Sequence, residues 1–235
     1  MKSRRFVIGD IHGAHMALVQ CLKKSGFDYE NDLLISLGDI CDGWPDTASS
    51  FEELLKIKNL ILIVGNHDLW MINWLEKGIK EDTWLINGGQ ATLDSYPEGI
   101  PETHHQLLKK SLDYYLLDDK LFVHAGILPT IPIEEQTRET FCWDRKLATI
   151  ALLNLELFGE SIICKEYESV YVGHTPIHKE GYLTPLKSGN VWLMDTGAGW
   201  TGVLSMMDID TGEHFTSSPV PELYPDHPGR TKRKE

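Results

Sequence analysis

In the stretch FVIGDIHG, residues 6–13, a short apolar run ends in glycine, and polar side chains follow directly. Related stretches recur as LLISLGDICD at 33–42, LILIVGNHD at 60–68, LFVHAG at 121–126 and VYVGHTP at 170–176. Continuous apolar runs of this length are typical of strands that are buried on both faces. Glycine at most of these junctions lets the backbone turn sharply and approach a ligand closely.

Segments with helical spacing of apolar residues lie between the early strands, at 16–22 and 51–55. The order strand, loop, helix, strand predicts βαβ units in a sheet covered by helices. Polar residues would then meet at the carboxyl ends of the strands, where such sheets form their sites. Apolar runs at 191–194 and 203–207, separated by a glycine-rich turn, are interpreted as adjacent strands of a second sheet packed on the first.

The length of 235 residues predicts one large domain, which we place at 1–215. The remainder, 216–235, contains four prolines and a basic run, and we expect a loosely held, solvated tail. The apolar run after the N-terminal basic residues is too short for a signal peptide or a membrane span. These features predict a soluble protein that does not act on membranes.

The charge balance limits the class of partner. There are 22 basic and 35 acidic residues, for a net charge of −13, which argues against nucleic acid as a partner. Small phosphorylated substrates stay possible because bound divalent cations can reverse the local field. The four cysteines show no CxxC pair, which indicates reduced thiols and a cytoplasmic location.

The motifs after the strand-like runs together supply carboxylate, imidazole and amide side chains. Each motif alone is more typical of an ordinary hydrogen-bonded loop, but five in one chain are improbable as coincidental turns. This mixture of ligands suits borderline divalent metals such as Mn²⁺, Fe²⁺ or Zn²⁺ rather than a thiolate-bound structural zinc. The sequence therefore predicts a metal site built from several strand ends.

The order and spacing of these motifs resemble those of the calcineurin-like metallophosphoesterases, and specifically the phosphoprotein phosphatase branch. Within it the chain is similar to the small phage and bacterial Ser/Thr phosphatases, with symmetrical diadenosine tetraphosphatases as close relatives. The resemblance runs from about Phe6 to about Met207. It implies an α/β fold: a four-layer α/β/β/α sandwich of two mixed sheets flanked by helices. Pro176, where nuclease branches commonly carry a second histidine, favours the phosphatase branch.

The resemblance also implies a binuclear centre, with manganese as the expected ion and iron(II), zinc or nickel as alternatives. Asp39 would bridge the two ions, and the other ligands would be Asp10 and His12 on the first ion and Asn66, His124 and His174 on the second. His67 would be the general acid for the leaving oxygen, and Asp42 would orient it and keep its imidazolium charged.

Phosphate binding is where the sequence departs from the family. The usual Asp-Arg-Gly is replaced by Asp42-Gly43-Trp44, and Val64 stands where an arginine usually precedes Gly-Asn-His. Arg145, in a segment that resembles the family's Trp-Asn-Arg, is predicted to hold phosphoryl oxygens. Trp44 has two open interpretations, packing or stacking on an aromatic group of the substrate. The apolar helical segment at 147–157 could pack on the core or form a lid or dimer contact.

The function that the resemblance implies is hydrolysis of phosphomonoesters, foremost phosphoserine and phosphothreonine in proteins, by direct attack of a hydroxide that bridges the two ions. The alternative is hydrolysis of diadenosine tetraphosphate or another small phosphate ester. A less favoured alternative is an inactive binding scaffold, because the expected ligands and the His67–Asp42 pair are intact. The oligomeric state stays open.

Overall fold

The computed structural model describes residues 3–157 and 161–230, which form two five-stranded sheets. The strands are β1 (Arg5–Ile8), β2 (Leu33–Ser36), β3 (Asn59–Leu62), β4 (Tyr114–Leu117), β5 (Lys120–Val123), β6 (Ser169–Val172), β7 (Leu186–Ser188), β8 (Val191–Leu193), β9 (Ser205–Asp208) and β10 (His214–Thr216). The first sheet has the order β10-β9-β1-β2-β3 and the second has the order β4-β5-β6-β8-β7.

Both sheets are mixed, and each contains three neighbouring parallel strands. β1, β2 and β3 are parallel, and Val7 lies opposite Ile35, which in turn lies opposite Ile61. β5, β6 and β8 form the parallel part of the second sheet, and β4 and β7 pair with it antiparallel at its edges. The carboxyl ends of the parallel strands in each sheet therefore meet at one edge, as the motifs predicted.

Helices cover the outer face of each sheet. They are α1 (His15–Ser25), α2 (Thr47–Leu55), α3 (Asn66–Lys77), α4 (Asp82–Trp84), α5 (Gln90–Asp94), α6 (Glu102–Lys109), α7 (Arg138–Trp143), α8 (Lys146–Leu157) and α9 (Val220–Leu223). A kinked segment, Leu85–Gly89, joins α4 to α5, with Gly88 at a φ of 107°. Within residues 3–157 and 161–230, no helix combines the length and the apolar character needed to cross a membrane.

The alternation of side chains along the strands divides the core into layers. Val7, Phe122 and Tyr171 lie in a cluster between the sheets, where the Phe122 and Tyr171 rings stack with centroids 4.7 Å apart. Their neighbours Phe6 and Ile8 point the other way, into the core beneath the helices of the first sheet. Period-two alternation in strands produces this division, and the predicted four-layer arrangement is confirmed.

The interpretation of 191–194 and 203–207 as adjacent strands is wrong. β8 belongs to the second sheet and β9 to the first. Val191 is buried in the core under α7 and α8, whereas Met206 is buried under the helices of the first sheet. The two apolar runs look alike locally, but the cores that bury them lie on opposite sides of the sandwich, so the turn between them passes from one sheet to the other.

The expectation of a loosely held tail is wrong for residues 216–230. Val220 is fully buried, and its N–H donates to the carbonyl of Gly202 at 2.9 Å. Tyr224 is also buried, and its hydroxyl accepts the N–H of Met16 at 3.0 Å. The basic run 232–234 lies outside the described residues, and the domain division after residue 215 stays a prediction.

The apolar segment at 147–157 forms α8, and its two faces differ. Leu147 is fully buried against the second sheet, as the core-packing interpretation requires. Ile150, Leu153 and Leu157 are 43%, 47% and 66% exposed, so the stripe extends well beyond the core. The lid and dimer interpretations of this exposed part stay open.

The inter-sheet layer predicts where the fold is most sensitive. Replacing Phe122 by Ala should lower the free energy of unfolding by about 3–5 kcal/mol, because it opens a cavity in a fully buried layer. Urea unfolding followed by circular dichroism measures this difference. Leu116→Ala, on the exposed side of β4, is the matched control and should change stability by about 0.5 kcal/mol or less. Equal losses in both variants would show that Phe122 does not join the sheets.

Candidate active site

The predicted metal ligands converge at the carboxyl edge of the two sheets. The six ligands lie in the loops that follow five different strands. Asp10 and His12 follow β1, Asp39 follows β2, Asn66 follows β3, His124 follows β5 and His174 follows β6. All six are buried, with at most 6% of their surface exposed. Parallel strands thus bring together side chains that are far apart in the sequence.

Asp39 lies between two groups of side chains whose nitrogen and oxygen atoms could bind metal. Its Oδ2 is 3.6 Å from Nε2 of His12 and 3.5 Å from Nε2 of His124. On one side, Asp10 Oδ2 is 3.9 Å from Nε2 of His12. On the other side, Asn66 Oδ1 is 3.1 Å from Nε2 of His124. The carboxylate of Asp39 is therefore common to two clusters of metal-type ligands, one with His12 and His67 and the other with His124 and His174.

The histidines are held in the form that binds metal. Nδ1 of His12 pairs with the carbonyl of Cys41 at 3.2 Å, and Nδ1 of His124 pairs with the carbonyl of Leu37 at 2.8 Å. A proton on each Nδ1 leaves the Nε2 lone pair facing the site. Burial lowers the pKa of His12 well below its usual value and that of His124 to about 4. The buried Nε2 of His174 has no hydrogen-bond partner among the described residues, and a metal ion would satisfy it.

The carboxylates are crowded and buried. Burial raises the pKa of Asp39 to about 8. Burial, together with the charges of Asp195 and Asp39, raises the pKa of Asp10 well above its usual range. Buried anions at such close range need a positive charge nearby, because their ionised forms are otherwise strongly disfavoured. The donor set and its electrostatics both fit divalent cations.

The backbone at the site is strained in a way that aims the ligands. Four site residues adopt the left-handed backbone conformation that favours glycine: His12 (φ 52°), Asp39 (φ 49°), Asp42 (φ 74°) and His174 (φ 61°). Such residues cost on the order of 1–3 kcal/mol each and cluster at functional sites. Four of the proposed functional residues thus share a conformation that the surrounding fold has to impose.

Two glycines are required by close approach. A Cβ atom at Gly65 would overlap Oδ1 of Asp39, and a Cβ atom at Gly173 would overlap Oδ1 of Asp10. Only glycine leaves room for these carboxylates beside the backbone. The glycines in the sequence motifs therefore serve the placement of the ligands.

Asp68 holds two of the loops together. Its carboxylate accepts the N–H groups of Asp39 at 2.8 Å, Ile40 at 3.0 Å and Gly65 at 3.0 Å. The loops after β2 and β3 are joined through this one side chain. Sequence reasoning assigned it no role, although it is the last residue of the Gly65–Asp68 motif.

His67 and Asp42 form the expected pair. Nδ1 of His67 lies 2.6 Å from Oδ2 of Asp42. The same carboxylate accepts the indole N–H of Trp84 at 2.8 Å and the hydroxyl of Thr92 at 2.6 Å. Since these hydrogen bonds favour an ionised carboxylate, His67 donates its Nδ1 proton to Asp42 and its Nε2 takes no part in this bond.

Burial disfavours charge on both members of this pair. It raises the pKa of Asp42 to about 7, although the bonds from Thr92 and Trp84 act in the opposite direction. It also lowers the pKa of His67 well below its usual value, and the charge of Arg230 adds to this effect. Trp84 and Thr92 were missed because they lie in a helical segment without a recognisable motif. The proposed role of Asp42 in keeping the imidazolium charged stays a prediction.

Arg145 lies at the mouth of the site. Its Nη1 donates to the carbonyl of His174 at 2.9 Å and to the hydroxyl of Thr175 at 3.2 Å. It lines a pocket of about 220 Å³ whose wall also includes His12, Asp39, His67, His174 and Arg230. The position is compatible with a role in binding phosphoryl oxygens. Arg230 was not singled out in the sequence as a site residue.

Trp44 packs inside the protein. It is 1% exposed, its indole N–H donates to the carbonyl of Ala198 at 2.7 Å, and its ring stacks on Tyr224 with centroids 5.3 Å apart. The packing interpretation is confirmed, and the stacking of Trp44 on a substrate is wrong because no face of the ring is free. Neither Gly43 nor Trp44 lines the pocket that contains Arg145.

Comparison with known proteins finds phosphatases and tetraphosphatases that are similar to this chain. Serine/threonine-protein phosphatase 1 of Salmonella typhimurium is 25% identical over 222 residues, which cover 87% of this chain and 91% of the relative. The symmetrical bis(5'-nucleosyl)-tetraphosphatase of Pseudomonas fluorescens is 25% identical over 285 aligned positions, with 94% and 97% covered. A crystal structure of a protein assigned as a diadenosine tetraphosphatase superposes with a TM-score of 0.67 at 17% identity, covering 93% and 94%.

The family model for calcineurin-like phosphoesterases matches residues 3–199, which is most of the chain and spans every strand that carries a proposed ligand. Members of this family use divalent metals. With the two sheets, the shared aspartate and these matches, the chain belongs to the calcineurin-like phosphoesterase family and is a hydrolase.

Proposed function

We propose that this chain is a binuclear metal-dependent phosphatase that hydrolyses phosphoserine and phosphothreonine in proteins. The observation that carries the proposal is the position of Asp39 between two groups of donors, at 3.6 Å and 3.5 Å from the Nε2 atoms of His12 and His124. Two dications held close together need a shared anion, and a carboxylate in this position supplies it.

The metal ligands that we propose fall into two sets that share Asp39: Asp10 and His12 in one, and Asn66, His124 and His174 in the other. When bound, two divalent ions supply an acidified water as nucleophile and positive charge for the phosphoryl oxygens. Manganese is the ion that we propose, with iron(II), zinc and nickel as alternatives, because nitrogen and oxygen donors of this kind suit borderline metals.

The protein's own contribution is to supply a proton and to orient the phosphate. His67, whose Nδ1–H is held by Asp42, acts as the acid in its imidazolium form: its Nε2–H gives its proton to the leaving oxygen as the ester bond breaks, and the neutral imidazole remains. Arg145, fixed by the carbonyl of His174, binds phosphoryl oxygens. A cysteine nucleophile is disfavoured, since burial raises the pKa of Cys41 and Cys142 well above the usual value and keeps both thiols protonated.

The substrate class is proposed from relatives and from the pocket. The Salmonella relative is named a serine/threonine-protein phosphatase, and Pro176 lines the pocket where nuclease branches carry a histidine. The Pseudomonas relative is named for dinucleoside tetraphosphate hydrolysis, which keeps that substrate as the second candidate. The burial of Trp44 removes one surface on which a nucleobase could have stacked, and so favours the phosphoprotein. The four free cysteines fit a reducing compartment, and we propose the cytoplasm.

The shared carboxylate gives the first test. Asp39→Asn should reduce the manganese content from about two ions per chain to less than one, because both sites lose a charged ligand. Metal analysis after gel filtration in the absence of free manganese measures the content. Asp94→Asn, at the exposed end of α5, is the matched control and should keep the wild-type value. Retention of two ions by Asp39→Asn would contradict the shared role.

The general acid gives the second test. His67→Asn should lower kcat for phenyl phosphate by about 10²–10⁴-fold, because its leaving oxygen needs a proton. The loss should be smaller for p-nitrophenyl phosphate, whose leaving group is far more acidic. His214→Asn, exposed on β10, is the control for both substrates. Equal losses on the two substrates, or loss of manganese from the variant, would count against proton donation by His67.

The third test concerns the substrate. With manganese present, kcat/KM should be higher for a phosphoserine peptide than for diadenosine tetraphosphate. The two rates are measured side by side on one enzyme preparation. A preference for the dinucleotide would support the second candidate instead. No turnover of either compound or of p-nitrophenyl phosphate with manganese, iron(II), zinc or nickel would support the inactive scaffold.

A further inference from the structure

The position of the missing arginine is filled from elsewhere in the chain. Gly43 stands where the family motif has arginine, and the aliphatic stem of Arg230 lies against it. A Cβ atom at Gly43 would be 3.1 Å from both Cγ and Cδ of Arg230, and one at Gly88 would be 3.2 Å from Cγ. The stem therefore runs between two glycines, in space that larger side chains there would occupy.

The guanidinium of Arg230 reaches the proposed metal site. Nη1 lies 3.2 Å from Nε2 of His12, and Cζ lies 4.4 Å from the centre of the Trp200 ring. The same ring also carries Nζ of Lys179 at 5.2 Å from its centre, and all three side chains line the pocket. The Nε of Arg230 is buried and has no hydrogen-bond partner among the described residues. A cation with an unused donor in a concave site is suited to binding an anion.

The segment that precedes Arg230 is held in place by packing, which fixes the position of the arginine backbone. Tyr224 stacks on the buried ring of Trp44, with centroids 5.3 Å apart. Gly229 passes so close to that ring that a Cβ atom would be 2.7 Å from it, and its φ of 59° also favours glycine. The chain is therefore anchored one residue before the arginine. Anchoring of this kind lowers the entropic cost of placing a long side chain in the pocket.

The charges around Arg230 explain why an anion belongs between it and a metal. Burial lowers the pKa of Arg230, whereas the buried carboxylates of Asp10, Asp39, Asp42 and Asp195 interact electrostatically with the guanidinium and raise it. A divalent cation bound beside His12 would repel the guanidinium, and a phosphoryl group between the two would neutralise both. A guanidinium also offers two parallel N–H groups, which match two phosphoryl oxygens.

We propose that Arg230 is a phosphate-binding residue of this active site, supplied by the C-terminal tail in place of the arginine absent at Gly43. It binds phosphoryl oxygens together with Arg145, while Trp200 positions its guanidinium from one face. The proposal rests on the phosphatase function proposed above and adds a substrate-binding residue to it.

The test compares Arg230→Ala and Arg230→Lys with wild type in the full-length, manganese-loaded protein. Calorimetry with inorganic phosphate gives its Kd, and inhibition of p-nitrophenyl phosphate hydrolysis by phosphate gives its inhibition constant. Arg230→Ala should weaken phosphate binding about tenfold to hundredfold, the range expected for charge-assisted hydrogen bonds. Arg230→Lys should recover part of this loss, since it keeps the charge without the fork. Manganese content should not change in either variant.

Arg138→Ala is the matched control, because that arginine is exposed and pairs with Asp113 at the surface. The proposal is overturned if Arg230→Ala binds phosphate as tightly as this control does. It is also overturned if the variant's main change is a lower manganese requirement, because Arg230 would then compete with the metal. Thermal unfolding of each variant separates these results from misfolding.

Calorimetry also separates this inference from the proposed function. A wild-type protein that binds phosphate but hydrolyses no ester would refute the phosphatase and leave the Arg230 comparison decisive. A wild-type enzyme that is active, with an equally active and equally phosphate-sensitive Arg230→Ala, would refute only the role of Arg230. A wild-type protein that neither binds phosphate nor hydrolyses esters would refute both.

Discussion

The buried carboxylate of Asp39 is the interaction on which the rest of the site depends. Its Oδ1 accepts the N–H of His67 at 2.9 Å, and its own N–H donates to Asp68. These bonds fix the carboxylate but do not offset the burial of its charge, which raises its pKa to about 8. The charges of Asp42 and Asp195 raise the pKa of Asp39 further, while the positive charge of Arg230 acts in the opposite direction. A site built in this way is stable in its ionised form only when cations bind beside it.

The packing of the two sheets and their helices offsets the energetic cost of this site. The strained backbone at four site residues costs on the order of 1–3 kcal/mol each. Three apolar clusters, one between the sheets and one under each layer of helices, hold the strand ends in place against this strain. Asp68 joins the loops after β2 and β3, and buried apolar residues of the same loops, Leu37 and Ile63, pack in the cluster between the sheets. The packed layers thus stabilise the fold, and the short loops at the strand ends carry the residues of the site.

The sequence predicted those parts of the structure whose signal is local. An apolar run, a glycine and a polar residue stand next to one another in the chain, so the parallel strands and the positions of Asp10 and Asp39 could be inferred directly. The short strands β4, β7 and β10 lie at or near sheet edges with half-exposed side chains, and they carry a weak pattern. The assignment of β8 and β9 to different sheets depends on distant partners, which no local pattern contains.

The role proposed for Arg230 illustrates why a gap in a motif is a weak argument for lost chemistry. A phosphoryl group needs positive charge at a point in space, and any side chain that reaches this point can supply it. When the motif is considered alone, Gly43 indicates that a phosphate-binding arginine has been lost. The basic residues near the end of the sequence, considered alone, indicate a solvated tail. Only the fold shows that the glycine makes room for the stem of Arg230. The residues that form an active site are therefore set by which side chains reach the pocket. Residues far apart in the chain can supply the same charge when their side chains reach the same position.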